Sequence, residues 1–201
     1  MTFYATHFIK CVVTNTEKLQ PTLWRTCRVL ANRTRLEMLR LLFQGRGLCV
    51  SAVAERLDLK ITQASQHLRA LESRGLLKVR RQSRWVYYEA PPPNSGGPAG
   101  PLVEALRCLF QKKASPTEAV FRLATAFTHP RRIAIFRALQ PARGFQDLQK
   151  QTGVPTRALE RHLRKLMQRG FVIRRTDLSA RFAQGQDGGI LAHALAQMAV
   201  Q

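Results

Sequence analysis

Acidic residues are scarce in this 201-residue chain: 12 Asp and Glu stand against 33 Lys and Arg, a formal charge of +21. Six acids in each half leave few candidates for general acid–base work, and no carboxylate pair has a plausible spacing. A Gly-rich phosphate loop and a Ser-His-Asp signature are missing too, so the sequence reads as that of a non-enzyme with no cofactor. No run approaches the ~20 apolar residues that cross a bilayer, which argues against a membrane partner. The N-terminal MTFYATHFIKCVV lacks the basic leader and small-residue cleavage site of a signal peptide. Four cysteines, Cys11, Cys27, Cys49 and Cys108, lie far apart with no CxxC. They imply reduced thiols of a cytoplasmic protein rather than a disulfide framework.

Arginine is what the chain has in excess, 25 of the 33 basic residues. Its planar fork suits bidentate contact with phosphate and with guanine edges. The charge is spread evenly: residues 1–100 hold 16 basic and 6 acidic side chains, and residues 101–201 hold 17 and 6. A polyanion partner follows, with double-stranded DNA expected and RNA the competitor that duplex competition would separate.

The stretch 62–88, TQASQHLRALESRGLLKVRRQSRWVYY, carries the pattern of a reader. Ala64, Leu68 and Leu71 share one helical face, while Thr62, Gln66, Arg69 and Ser73 lie opposite. Arg74-Gly75 closes the helix. Leu77 and Val79 then run out, Arg81-Gln82-Ser83 is expected to turn, and residues 85–88 run back as a hairpin. Upstream, residues 21–31 form a helix. Asn32 caps a second, and residues 51–57 a third that the Ser51 hydroxyl is expected to start. Three helices, a tight turn at Asp58-Leu59-Lys60, a fourth helix and a two-stranded wing make a winged helix-turn-helix.

The second half repeats the first. LANRTRLEMLRLL (30–42) aligns with FTHPRRIAIFRAL (127–139), and QHLRALESRGLL (66–77) with RHLRKLMQRGFV (161–172). The expected fold is mainly α with small β wings, two tandem winged helix-turn-helix domains forming an intramolecular pseudo-dimer. Its parts are an arm at 1–16, a first domain at 17–90, a Pro/Gly linker at 91–101, an interface helix at 102–113, and a second domain at 115–201 ending in another interface helix. Ser115-Pro116-Thr117-Glu118 is expected to open the second domain as a capping box. Further dimerisation of two chains stays open.

A recognition helix places its N-terminal residues at base edges in the major groove. Here those are Thr62, Gln63, Ser65 and Gln66; glutamine pairs bidentately with adenine. Lys60, His67 and Arg69 are placed for phosphate, and Arg80, Arg81 and Arg84 on the wing would grip the backbone or minor groove. The second copy offers Arg157, Arg161, His162, Arg164, Arg174 and Arg175 for bases or phosphates. An ordinary solvated helix face and packed histidines are the plainer alternatives.

At this point the sequence resembles the ArsR-type (arsenical-resistance repressor) winged-helix family over about residues 22–112. The residues that carry it are GLCVSAVAERLDL (47–59), the HLxxLxxxGLL block and RRQSRWVYYEA (80–90). The resemblance implies a repressor that binds operator DNA as a symmetric dimer, with first and last helices at the dimer interface and release by metal or thiol oxidation. Two departures stand out. Where arsenic-sensing members carry Cys-Val-Cys, this chain reads Cys49-Val50-Ser51, and a hydroxyl is a poor ligand for a thiophilic metal. Cys11 and His7 on the arm are weak further candidates, so no metal site is expected. The duplication is the second departure: it replaces two chains by one, with an asymmetric operator expected. A protein-bridging or scaffold module without an effector is the alternative, against which the +21 charge argues.

Overall fold

The computed structural model describes residues 22–111, 116–174, 178–180 and 189–200. Helix α1 (Leu23–Leu30) buries Leu23, Thr26, Cys27 and Leu30. Asn32 then caps α2 (Arg33–Gln44), its Oδ1 accepting from the Arg35 amide at 3.0 Å as the sequence suggests. A two-residue strand, β1 (Leu48–Cys49), leads into α3 (Val50–Arg56). The expected Ser51 cap is not made. The helix starts one residue earlier, so Cys49 is its N-cap, and the Ser51 hydroxyl lies 3.2 Å from the Cys49 thiol instead.

Helix α4 (Ile61–Glu72) buries Ala64, Leu68 and Leu71, the stripe read from spacing. It ends in a Schellman turn: the Leu76 amide donates to the Leu71 carbonyl at 3.1 Å and the Gly75 amide to Glu72 at 2.8 Å. Gly75 has φ +69, a region that costs any side chain a Cβ clash. The wing is β2 (Lys78–Gln82) paired antiparallel to β3 (Trp85–Glu89), with Arg81 opposite Val86. Its turn is Ser83-Arg84, with Ser83 at φ +52, not Arg81-Gln82-Ser83. A two-residue loop with a left-handed residue matches strand twist, which keeps Arg81 and Gln82 in the ladder. β1 adds a third strand in the order β1-β3-β2, Leu48 opposite Tyr88, unforeseen in a segment of two residues.

Helix α5 (Gly100–Phe110) begins two residues before the expected 102, because Pro101 sits in its first turn, where no amide is needed. The Pro/Gly stretch before it is tied down. Pro91 and Ala99 are buried, the Asn94 amide donates to Glu104 Oε1 at 3.1 Å, and Arg107 donates to the Pro91 carbonyl.

Helix α6 (Thr117–Ala124) follows, and Ser115 of the expected capping box lies outside the described residues. The Glu118 carboxylate accepts from Arg33 at 3.1 Å. Then come α7 (Pro130–Ala138), α8 (Phe145–Thr152), α9 (Thr156–Gln168), a hairpin of β4 (Val172–Arg174) and β5 (Leu178–Ala180), and α10 (Gly189–Val200). His129 caps α7 through Nδ1, accepting from the Arg131 amide at 3.1 Å. α9 closes with the same two bonds as α4, Phe171 amide to Leu166 carbonyl and Gly170 amide to Met167 carbonyl, each 3.0 Å. A bridge from Arg143 to Leu178 lies on β5 as β1 lies on β3.

One hydrophobic cluster runs from Leu23 to Ala199 without a break. Helix α6 packs on α1 and α2, and α10 packs on α5, α1, α6 and α7. Two backbone acceptors at helix ends are satisfied across these layers: Gln44 donates to the Phe110 carbonyl at 2.8 Å and Arg137 to the Ala199 carbonyl at 2.6 Å.

Candidate nucleic-acid interface

Burying Ala64, Leu68 and Leu71 fixes what α4 shows to solvent. Lys60, Thr62, Gln63, Gln66 and Arg69 are exposed; Ser65 and His67 are half-buried. One further residue, absent from the expected set, joins them: Ile61 is 61% exposed at the first helical position. Its spacing to Ala64 and Leu68 is that of the buried stripe, so periodicity alone gives no sign of exposure. An exposed β-branched side chain beside Thr62 and Gln63 is suited to a thymine methyl.

The wing places Arg80, Arg81 and Arg84 on an exposed hairpin. Arg80 is the most restrained: it donates to Gln82 at 2.7 Å, pairs with Glu89 at 3.4 Å and lies 4.9 Å over the Tyr87 ring. Arg84 lies over Trp85 at the turn, a ring itself 48% exposed. An arginine stacked on an exposed indole at a hairpin tip is held outward, where a backbone or groove contact would be made.

The second-half candidates are placed less uniformly. Arg157, Arg161 and Arg164 are exposed on α9, and Arg174 is exposed on β4. Arg175 lies outside the described residues. His162 is only 4% exposed, packed against His129 with ring centroids 5.0 Å apart, so it is set back from the exposed face of α9. Burial, then His129, Arg132 and Arg161, lower its pKa to about 4, which keeps the ring neutral at pH 7. His67 is lowered by the same physics, burial first and then Arg35.

At Cys49-Val50-Ser51, the Cys49 thiol lies 3.2 Å from the Ser51 hydroxyl, and hydrogen bonds from Ser51 and the Ala52 amide lower its pKa. Cys27 is fully buried and desolvation raises its thiol pKa. Cys11 and His7 lie outside the described residues. Among the described residues no three His, Cys, Asp or Glu are grouped to hold a metal ion. Iodoacetamide at neutral pH should alkylate Cys49 and the exposed Cys108 in the folded chain and spare Cys27 until unfolding. Peptide mapping by mass checks this; Cys27 labelled as fast as Cys49 would contradict the packing of α1.

Residues 30–80, covering α2 to β2, match a helix-turn-helix domain family. The arsenical resistance operon repressor of Escherichia coli is 36% identical over 85 residues, which is 42% of this chain and 73% of the relative. The chain belongs to the ArsR family. A second ArsR relative, the arsenical resistance operon repressor of Bacillus subtilis, is 31% identical over 86 residues, 43% of this chain and 79% of that protein. A helix-turn-helix-type transcriptional regulator of Mycobacterium tuberculosis is 42% identical over 64 residues, 32% of this chain and 28% of that one. ArsR proteins are helix-turn-helix transcriptional regulators, not an enzyme class. Each of these alignments spans less than half of the chain, and the matched helix-turn-helix domain ends at residue 80. No helix among the described residues is long and apolar enough to cross a membrane.

Proposed function

We propose that this chain is a sequence-specific DNA-binding transcriptional regulator, acting as a repressor, in which α4 reads the major groove and the β2–β3 wing grips the backbone. The observation that carries it is an exposed polar face on α4 followed along the chain by an exposed arginine-rich wing. Thr62, Gln63, Gln66 and Arg69 are exposed on the side of α4 away from its buried stripe, Lys60 and Ile61 are exposed at its start, and an arginine-tipped hairpin follows. Glutamines supply base-edge pairing, and arginines supply the sequence-independent affinity.

The reading extends to the whole chain as a tandem pair of winged helix-turn-helix units, 17–90 with interface helix 102–113 and 115–201, forming an intramolecular pseudo-dimer. Its support is local and repeated. Asn32 and His129 cap equivalent helices, Asp58 and Gly153 take φ +50 and +62 before the reader helices, and Gly75 and Gly170 close them. Helices α1, α5, α6 and α10, the counterparts of a dimer's interface helices, bury their stripes on one another. With Thr62, Gln63, Ser65 and Gln66 replaced by Arg157, Ala158, Glu160 and Arg161, the two halves would face different half-sites, and the operator would be asymmetric.

Gln63→Ala with Gln66→Ala should erode sequence preference, each lost bidentate pair being worth about 1–3 kcal/mol of discrimination. Arg81→Ala with Arg84→Ala should instead weaken all duplexes alike and lower the salt slope by about 2. Selection from random duplexes, followed by titration of the winner and a scrambled control, separates the two. An unchanged preference in the glutamine variant would sink the assignment of α4.

A further inference from the structure

The second half contains a feature that the DNA-reading surface of α4 does not use. Between α7 and α9 lies a cleft of about 330 Å³ lined by His129, Arg132, Arg161, His162, Arg164 and Lys165, with no acidic residue in its wall. Arg28 and Arg131 also act on His129, and Arg169 acts on Lys165; among the described residues the one ionisable group of the other sign that acts on Arg132 is the buried Cys27 thiol, whose raised pKa keeps it neutral. The four ion pairs among the described residues are elsewhere, at Arg33, Arg40, Arg80 and Arg107.

Two polar groups in this wall are buried without a partner. His162 has neither Nδ1 nor Nε2 hydrogen-bonded, although the residue is more than nine-tenths buried, and Arg132 Nε is likewise unsatisfied. Arg132 is held in place, since its Nη2 donates to the Thr125 carbonyl and to the Thr128 hydroxyl. Buried donors left empty, among cations that nothing neutralises, are costly unless something fills the space. What would satisfy them is an acceptor-rich anion. A phosphate takes donors from several directions, and Arg132, Arg161, Lys165 and one His162 N–H converge from two helices.

The geometry points to a phosphate-binding site in this cleft, taking either a free phosphate or phosphate monoester, or a backbone phosphate of bound duplex. The site needs neither α4 nor the wing, so it stands apart from the DNA-reading assignment. A chain that prefers no DNA sequence yet binds phosphate keeps the site, and the reverse result removes the site alone.

The test uses the full chain, inorganic phosphate as probe, and the imidazole signals of His129 and His162 as readout, with sodium chloride at matched ionic strength as control. Phosphate should shift both signals saturably and raise the pKa values of both rings, while His67 and His193 stay where they are. Lys165→Gln and Arg161→Gln should each weaken phosphate binding about tenfold, the loss of one charge-assisted hydrogen bond. Thermal melting of each variant checks that it is folded. Arg81→Ala with Arg84→Ala should leave phosphate binding as it was. The site is overturned if chloride moves His162 as far as phosphate does, if His162 does not respond, or if folded Lys165→Gln and Arg161→Gln bind phosphate like the parent. Added duplex identifies the occupant: displacement of phosphate assigns the cleft to the DNA backbone, and simultaneous binding assigns it to a free phosphate. Either supports the site.

Discussion

Raising salt from about 50 to about 200 mM should weaken duplex binding on the order of 10³-fold or more, the loss expected when a protein neutralises six or more phosphates. The expectation rests on where the +21 charge lies. Lys60 and Arg69 flank the α4 reading face, Arg80, Arg81 and Arg84 line the wing, and Arg157, Arg161 and Arg164 are exposed on α9. Of these, only Arg80 enters an ion pair among the described residues. Among the described residues the rest pair with no carboxylate that would have to be displaced, and each can release a counterion from DNA. Filter binding or fluorescence anisotropy across that range gives the slope of log K against log salt. A slope near −0.9 for each phosphate contacted is the expectation for B-DNA. A slope corresponding to two or three contacts would confine binding to one half of the chain. A flat response would show that the charge serves another purpose.

How much of this was legible without coordinates depends on whether the controlling interaction is local. The Ala64–Leu68–Leu71 stripe, the Asn32 cap and the closing glycines follow from spacing and from what one side chain or one backbone angle requires. Local rules failed where two competing partners lay within reach. Ser51 looked like a cap but lies against Cys49, and nothing local announces that the Glu118 carboxylate reaches Arg33, 85 residues away. Strand β1 has too few residues to show alternation and exists only because β3 lies beside it. The α7–α9 cleft was least legible of all. Arg161, His162 and Arg164 read as candidates for bases or phosphates, and no spacing set them beside Arg132 and His129. Only their packing removes His162 from water and leaves its nitrogens without partners.

Phe171→Ala should destabilise the chain by about 3–5 kcal/mol, the usual cost of emptying a fully buried aromatic site. That is a large share of the ~5–15 kcal/mol that holds a typical domain. Phe171 is completely buried where the chain leaves α9, in edge contact with Phe127 at 4.6 Å and Phe136 at 6.2 Å, while those two rings lie 5.3 Å apart. Removing one ring strips an edge-to-face partner from both of the others, and three rings held by separate segments, Phe127 after α6, Phe136 on α7 and Phe171 after α9, cannot close the gap by a simple rotamer change. The sharper consequence is how far the damage travels. Helices α1 and α2 lean on α6, and α5 on α10, so the apolar cluster is shared between the halves. The Arg33–Glu118 pair across this boundary is exposed and contributes little, which leaves apolar packing as the coupling. Trp24 on α1 and Trp85 on the wing both lie in the first half, far along the chain from residue 171. In a urea titration their fluorescence should therefore shift to the same lower midpoint as the circular dichroism of the whole chain, in one transition. Tryptophan signals that stay at the parent midpoint while part of the helical signal is lost earlier would mean that the halves unfold separately. The intramolecular pseudo-dimer would then lose its energetic basis, whatever the resemblance between its halves.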